Sequence, residues 1–407
     1  MLLDDKPFEQ LTAADIQALI PGVSEGRRID YKRALPDNGE KSVRSLLDDV
    51  CALANSAGGY LVYGVEEEQD EDGKNTGVPS RVCGVGEMNV DQVQLAWEQR
   101  IKQNIEPTII GYRVGFIDGF HGGEVVMVVF VPRSLQSPHR TNYAGKREFR
   151  IRHDRGNQLM ELDEIRQSFV EAREIPERIA EFTRLRASKV LAGEVPVPLL
   201  EGRSTLIHLV PVTAIQPTPP LFDTAALDRL PSDVLGRDLG ATRPNFNGRL
   251  FYAYMHNGVS RCFMQVYRDG RIEVASRGDL LREQALAASN SVDYFLAPKT
   301  ERDVVQSIIT ALTVMSSLGV QQPVYVCLTL LGVKGRILLP RGNIQNYDIE
   351  DLPTFDEDML FLPPAVFESF SDDVSQLMRP AFDVLWQSAG WQGSASYDED
   401  GNWAPNT

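Results

Sequence analysis

Carboxylates gather at two places along this chain where strand-like segments begin or end, and that placement is the first sign of chemistry. In Ser24-Glu25-Gly26-Arg27-Arg28-Ile29-Asp30-Tyr31-Lys32, Asp30 and Lys32 stand two apart, so on a strand both side chains share one face, with Glu25 in the loop before them. The strand-like run Tyr60 to Val65 leads straight into Glu66, Glu67 and Glu68. If that strand end lies beside the first, Glu66 or Glu67 completes a set of three carboxylates. Such hard oxygen ligands suit Mg²⁺ or Mn²⁺, and Lys32 could steady a phosphate or an attacking hydroxide. The plainer reading is that these acids are solvated strand ends, the ordinary habit of Asp and Glu.

A second constellation is basic. Between Pro132 and Arg155 come Arg133, His139, Arg140, Lys146, Arg147, Arg150, Arg152, His153 and Arg155, against only Glu148 and Asp154. Arg140, Lys146, Arg147, Arg150 and Arg152, with Tyr143 and Phe149 interleaved, suit contact with a phosphate backbone, because guanidinium forks bind phosphate oxygens in pairs. A solvated charged face is the competing reading. His139 and His153 read as surface residues, since neither sits beside an obvious nucleophile. The net charge of −16 would repel a polyanion if spread evenly, but the acids concentrate at Glu66 to Asp72, Asp348 to Asp358 and Asp398 to Asp400.

The elements that must position these groups follow from periodicity. Thr12 caps a short helix, and a strand is expected near Arg27 to Arg33. Ser42 opens a helix whose Val43, Leu46, Leu47, Val50 and Leu53 share one face. That helix ends at Asn55 to Gly59, where glycines permit positive φ and close backbone approach into the strand Tyr60 to Val65. A helix over Val90 to Ile105, an antiparallel pair from Ile109–Ile117 and Glu124–Val131, a strand Phe149 to Arg152 and a helix Glu161 to Glu174 follow. Beyond a connecting helix and the proline-containing stretch Val195 to Pro198, strands Leu250–Tyr254 and Ser260–Tyr267 precede a hairpin turn at Asp269-Gly270. Helices near Glu301 to Ser317 and Ser371 to Ser388 flank a buried strand near Val324 to Leu330.

At 407 residues the chain exceeds one ordinary core. The expected class is α+β (mixed α/β): an N-terminal domain with a mixed sheet over 1–175, a connecting helix and linker over 176–200, a second α+β domain over 201–392, and a disordered tail over 393–407. The four cysteines show no metal-ligand spacing and read as reduced thiols. Acids and a proline stand where a secretory signal needs a basic start and an apolar run, and no stretch is apolar enough to span a membrane, so a cytoplasmic protein is expected. No Gly-x-x-x-x-Gly-Lys-Ser/Thr loop supports nucleoside triphosphate hydrolysis.

Asp30-Tyr31-Lys32, then Ala52-Leu53-Ala54-Asn55-Ser56-Ala57-Gly58-Gly59-Tyr60-Leu61-Val62-Tyr63-Gly64-Val65-Glu66-Glu67, then Pro138 and Phe149-Arg150-Ile151-Arg152, resemble the Schlafen/AlbA domain in order and type from about Ala13 to Val170. Nuclease members of that family are similar in carrying acids at positions that match Glu25, Asp30 and Glu67, with Asp for the usual Glu at 30 and Glu for the usual Asp at 67. The resemblance implies a metal-dependent endoribonuclease acting on structured RNA such as tRNA, with Glu25, Asp30, Glu67 and Lys32 catalytic and Mg²⁺ or Mn²⁺ as cofactor. The alternatives to that leading reading are a non-catalytic DNA- or RNA-binding regulator, or a nucleotide-sensing or assembly module. RNA is expected as partner ahead of DNA. The family's fused two-lobed cores, against one lobe here, imply a homodimer or higher even oligomer.

Overall fold

The computed structural model describes residues 3, 6, 8–20, 22–86, 88–154, 156–216, 218–227, 233–253, 258–277, 294–340 and 351–405; of the sequence assignments above, Arg155, Tyr254, Asp348, Ile349, Glu350, Asn406 and Thr407 lie outside them. The chain forms two units, Met1–Pro176 and Glu177–Thr407. Among the described residues helix and strand are almost equally represented, 31% and 30%, in a mixed α+β protein.

In the first unit, α1 (Ala13–Gln17) precedes β1 (Ile29–Lys32), α2 (Glu40–Ala54), β2 (Gly59–Tyr63), β3 (Val65–Gln69), β4 (Asn75–Val82), α3 (Val90–Asn104), β5 (Ile105–Glu106), β6 (Arg113–Ile117), β7 (Val126–Val131), β8 (Arg140–Tyr143), β9 (Lys146–His153), β10 (Gly156–Leu159) and the first half of α4 (Leu162–Leu191), whose residues from Glu177 on belong to the second unit. One sheet has the order β1-β2-β7-β6, another β10-β9-β8-β5, and β3 and β4 form a separate ribbon. β1 pairs in parallel with β2, placing Asp30 opposite Leu61 and Lys32 opposite Tyr63. A parallel pair needs a crossover, and α2 supplies it.

The six residues of β7 are all buried, because cores cover both faces of its sheet. One core holds Leu46, Leu47, Val50, Leu53, Leu61, Trp97 and Val129; the other holds Ile16, Leu19, Tyr31, Tyr60, Val62, Val128 and Phe130. Each large apolar side chain taken fully from water contributes roughly 1.5–3 kcal/mol. The expected apolar stripe of α2 is buried as read, and so is Asp49 in its midst.

The second unit contains β11 (Ser204–Pro211), β12 (Asp233–Val234), β13 (Arg237–Asp238), β14 (Ala241–Asn245), β15 (Gly248–Tyr252), β16 (Cys262–Tyr267), β17 (Ile272–Arg277), β18 (Tyr294–Leu296), α5 (Ala297–Ser317), β19 (Val324–Leu331), β20 (Ile337–Leu339), β21 (Met359–Phe361), β22 (Ala365–Phe367) and α6 (Val374–Ser388). Its main sheet runs β14-β15-β16-β17-β11-β19-β21, with β22 also on β19. Gly270 turns the β16–β17 hairpin at φ +87°.

Two expectations are corrected. The helix expected to end near Glu174 and the connecting helix after it are one continuous α4 that carries Pro176 inside it. Residues 393–405, expected as part of a disordered tail, instead pack against the second unit. The Tyr397 hydroxyl donates to the Ser375 carbonyl, Trp403 stacks on Phe382 at 5.9 Å, and Ser394 and Ser396 donate to the buried carboxylate of Glu301. Aromatic anchors and one buried acid outweigh local composition.

Candidate functional site

The acids singled out by spacing meet around one glycine. Gly77, at φ +78° on β4, accepts a hydrogen bond from the Glu25 backbone N–H at 2.6 Å and donates its own N–H to Glu67 Oε2 at 2.9 Å. A Cβ on Gly77 would stand 3.3 Å from that of Glu25, so the close approach suits glycine. Glu67 Oε1 also accepts from Asn75 at 3.0 Å, and Glu25 Oε1 accepts from the Tyr31 N–H at 2.7 Å. Glu66 faces elsewhere, paired with Arg81 at 2.5 Å and Arg33 at 3.3 Å. The strand alternation thus separates Glu67 from Glu66.

Asp30 lies deeper, 3% exposed, between two cations. One oxygen pairs with Arg152 at 2.7 Å and the other with Lys32. Burial alone would raise its pKa, yet Lys32 and Arg152 together hold it below the usual carboxylate range. Arg152, itself 3% exposed, also donates to the carbonyls of Gly26 at 2.9 Å and Ile29 at 3.2 Å. Lys32 reaches Asp49 on α2 at 3.9 Å, and Asn157 donates to Asp49. Burial pushes Asp49 up to about 7 against the pull of Lys32, with Asp30 adding to the rise. Burial, then the charge of Asp30, does the same to Glu25, also to about 7.

The segment after α2 aims Arg152 at this cluster. Asn55 Nδ2 donates to the carbonyls of His139 and Arg150, both at 2.8 Å, and its Oδ1 accepts the His139 N–H at 2.7 Å. Ser56 Oγ accepts the Arg152 N–H at 2.8 Å. A Cβ on Gly58 would meet the Arg133 nitrogen at 2.5 Å, and one on Gly59 the Arg28 carbonyl oxygen at 2.1 Å. The Asn-x-x-Gly-Gly pattern therefore has a structural cause: it clamps β8 and β9 to α2 and lets β2 start beside β1.

Sequence reasoning missed Asp49, although its spacing from Leu46 and Leu53 put a carboxylate on an apolar helix face, which was the available signal. His139, expected at the surface, is fully buried: its Nδ1–H donates to the Pro107 carbonyl at 2.6 Å and burial lowers its pKa. Its place between two clamped backbone segments takes it out of solvent. His153 is half-exposed and lies 3.6 Å from Glu164.

The five basic residues do not form one free surface. Arg152 belongs to the interior cluster, Arg150 pairs with Glu148 at 2.7 Å and Asp48 at 3.4 Å, and Arg140 pairs with Glu106 at 3.0 Å. Lys146 and Arg147 are exposed beside the β8–β9 turn, where Ala144 and Gly145 both take positive φ. The cause is the inward face of β9, whose alternate arginines meet acids of α2 and β1.

Among the described residues, no three His, Cys, Asp or Glu side chains are grouped to hold a metal ion. Asp30 is engaged by two cations and both oxygens of Glu67 accept hydrogen bonds, so Glu25, Asp30 and Glu67 as arranged do not offer the shared oxygen set that Mg²⁺ or Mn²⁺ takes. No described helix is long and apolar enough to cross a membrane.

Residues 25–161 match the family model described as Schlafen, AlbA_2. Among solved structures, the N-terminal domain of an ATP-dependent DNA helicase RecG-related protein from Nitrosomonas europaea is similar at 24% identity over 35% of this chain and 89% of that one, with a TM-score of 0.28. A structural-genomics protein from Corynebacterium diphtheriae is similar at 20% identity over 38% of this chain and 27% of that one, with a TM-score of 0.25. No curated protein matches the sequence.

Proposed function

Residues 25–161 being a Schlafen/AlbA_2 domain, we propose that the first unit binds nucleic acid as a non-catalytic module, with structured RNA ahead of DNA as its partner. The observation that carries the non-catalytic part is Asp30 held between Lys32 and Arg152, which makes the carboxylate cluster an internal charge network. Lys146 and Arg147 at the β8–β9 turn supply the exposed cations that phosphate contact requires. A pair of such units in a homodimer would widen that short positive surface, and structured RNA calls for contacts spread over a span.

Mobility shift of labelled tRNA and of single-stranded DNA, in EDTA and over a salt series, tests the binding. The reading predicts a complex that weakens steeply with salt and forms without metal. Absence of any complex at low salt refutes it. Light scattering tests the pairing, with a monomer mass at micromolar concentration as the contrary result.

The convergence of Glu25 and Glu67 on Gly77 favours a second reading, a metal-dependent endoribonuclease. That reading requires Asp30 to exchange a cation partner for a metal. Cleavage of tRNA that depends on Mn²⁺ would support it.

A further inference from the structure

One stretch of the second unit runs against the charge of the chain. From Leu239 to Arg268 the sequence holds four arginines and no aspartate or glutamate, in a protein whose net charge is −16. The stretch supplies β14, β15 and β16, three successive strands at one end of the main sheet, with β14 on the edge. Two acids stand beside Arg268, and both are engaged. Asp269 pairs with Arg271 at 2.5 Å, and Asp223, next to the Phe222 whose N–H donates to the Arg268 carbonyl, accepts the Ala225 N–H at 2.9 Å.

The turn between β14 and β15 presents an aromatic ring to solvent. Phe246 there is 94% exposed. Its backbone is nevertheless pinned: the Gly248 N–H donates to Asn245 Oδ1 at 2.9 Å, the Arg268 N–H to the Asn247 carbonyl at 2.9 Å, and Arg268 Nε to the Phe246 carbonyl at 3.3 Å. A ring carried on a fixed turn loses little freedom when something stacks on it. Arg268 and, on β14, Arg243 are both exposed, and Arg243 donates to the Pro196 carbonyl at 2.9 Å. Among the described residues neither has a carboxylate partner, so their charge is uncompensated. Arg249 pairs across strands with Val266, whose face Arg268 takes up two residues later, while Arg243 pairs with Leu250 on the opposite face. A flexible polyanion that crosses the hairpin end therefore meets a guanidinium on either side of the ring.

We propose that this hairpin end binds single-stranded nucleic acid, with one base stacked on Phe246 and the flanking phosphates on Arg243 and Arg268, a role for the second unit that is independent of phosphate contact in the first. Single strands are held without regard to sequence by aromatic rings that stack bases and cations that track the backbone. A duplex hides its base faces in its own stack and offers the ring no partner. An acidic peptide would use the arginines but has no call on an exposed ring.

The test uses a fluorescein-labelled oligothymidylate of about 15 nucleotides, within the span that one such surface covers, and the same phosphodiester strand without bases. The full chain carries Lys146→Glu/Arg147→Glu, so that binding at the hairpin is read apart from binding at the β8–β9 turn. Fluorescence anisotropy should show the oligothymidylate binding about tenfold more tightly than the abasic strand, the effect of one stacked base. Phe246→Ala should remove that difference while leaving the abasic affinity and the Tm unchanged, and Phe246→Trp should restore it. Arg243→Glu/Arg268→Glu should weaken both strands and flatten the salt dependence by about 0.7 of a unit per lost contact. An oligothymidylate no tighter than the abasic strand, or a Phe246→Ala variant that keeps the difference, would overturn the proposal. So would polyglutamate of equal charge that competes as well as unlabelled oligothymidylate, which would assign the patch to an acidic protein segment.

Discussion

Replacing Arg152 with Met keeps the length of the side chain and removes its charge from a pair in which both partners are about 95% buried, at 4% and 5% exposure. Breaking a buried ion pair on one side costs roughly 3–5 kcal/mol, because the remaining charge is stranded away from water. Asp30 keeps Lys32, which pulls the cost toward the lower end. The carbonyls of Gly26 and Ile29 lose their donor at the same time, and each unsatisfied buried acceptor costs about 1–3 kcal/mol, which pushes it back up. The net expectation is about 3–5 kcal/mol of lost stability in the first unit. Hydrogen exchange read on β1 and β2 isolates this from the second unit, and their protection should fall by about two orders of magnitude or more. Adding Asp30→Asn to Arg152→Met should recover part of the loss, since the stranded charge goes too. Protection unchanged within tenfold in Arg152→Met, or a double variant no better than the sum of the singles, would refute the account of Asp30 as an internally compensated charge.

Charge reversal of Lys146 and Arg147 to Glu should weaken nucleic-acid binding across all sequences and flatten the plot of log affinity against log salt by about one unit per lost contact; Arg150→Glu should instead reduce stability, because Arg150 faces Asp48 and Glu148. Glu25 and Asp49, with pKa values raised to about 7, hold protons more tightly in the folded state than in the unfolded one. Their contribution is therefore full below the ordinary carboxylate range and falls as pH rises toward 7. Denaturation midpoints should decline over that window, and Asp49→Asn should flatten the decline. Gly59→Ala puts a Cβ 2.1 Å from the Arg28 carbonyl oxygen at φ +148°, so the variant should lose several kcal/mol or fail to fold, as circular dichroism on melting would show.

Much of this was legible in the residues because local chemistry and global fold agree there. The α2 stripe, the β1 and β2 segments and the Asp269-Gly270 turn each follow from one periodicity or one glycine, whereas spacing left Glu66 and Glu67 as alternatives and only the family resemblance singled out Glu67. The partners of buried charges were not legible. Nothing in Arg150-Ile151-Arg152 says that one arginine meets Asp48 and the other Asp30, because those pairings depend on how Asn55 and Ser56 dock β9 against α2. The same tertiary event buries His139. The ordered segment 393–405 was hidden for a similar reason: its anchor, Glu301, is about 95 residues away along the chain.

Incubation of full-length protein with end-labelled tRNA in Mn²⁺ and in EDTA, with Glu67→Gln in parallel, tests the central claim that the carboxylate cluster is a charge network within a nucleic-acid-binding module. The account predicts intact RNA in every lane and equal retention of RNA with and without metal. Cleavage in Mn²⁺ that EDTA stops and Glu67→Gln abolishes would contradict it.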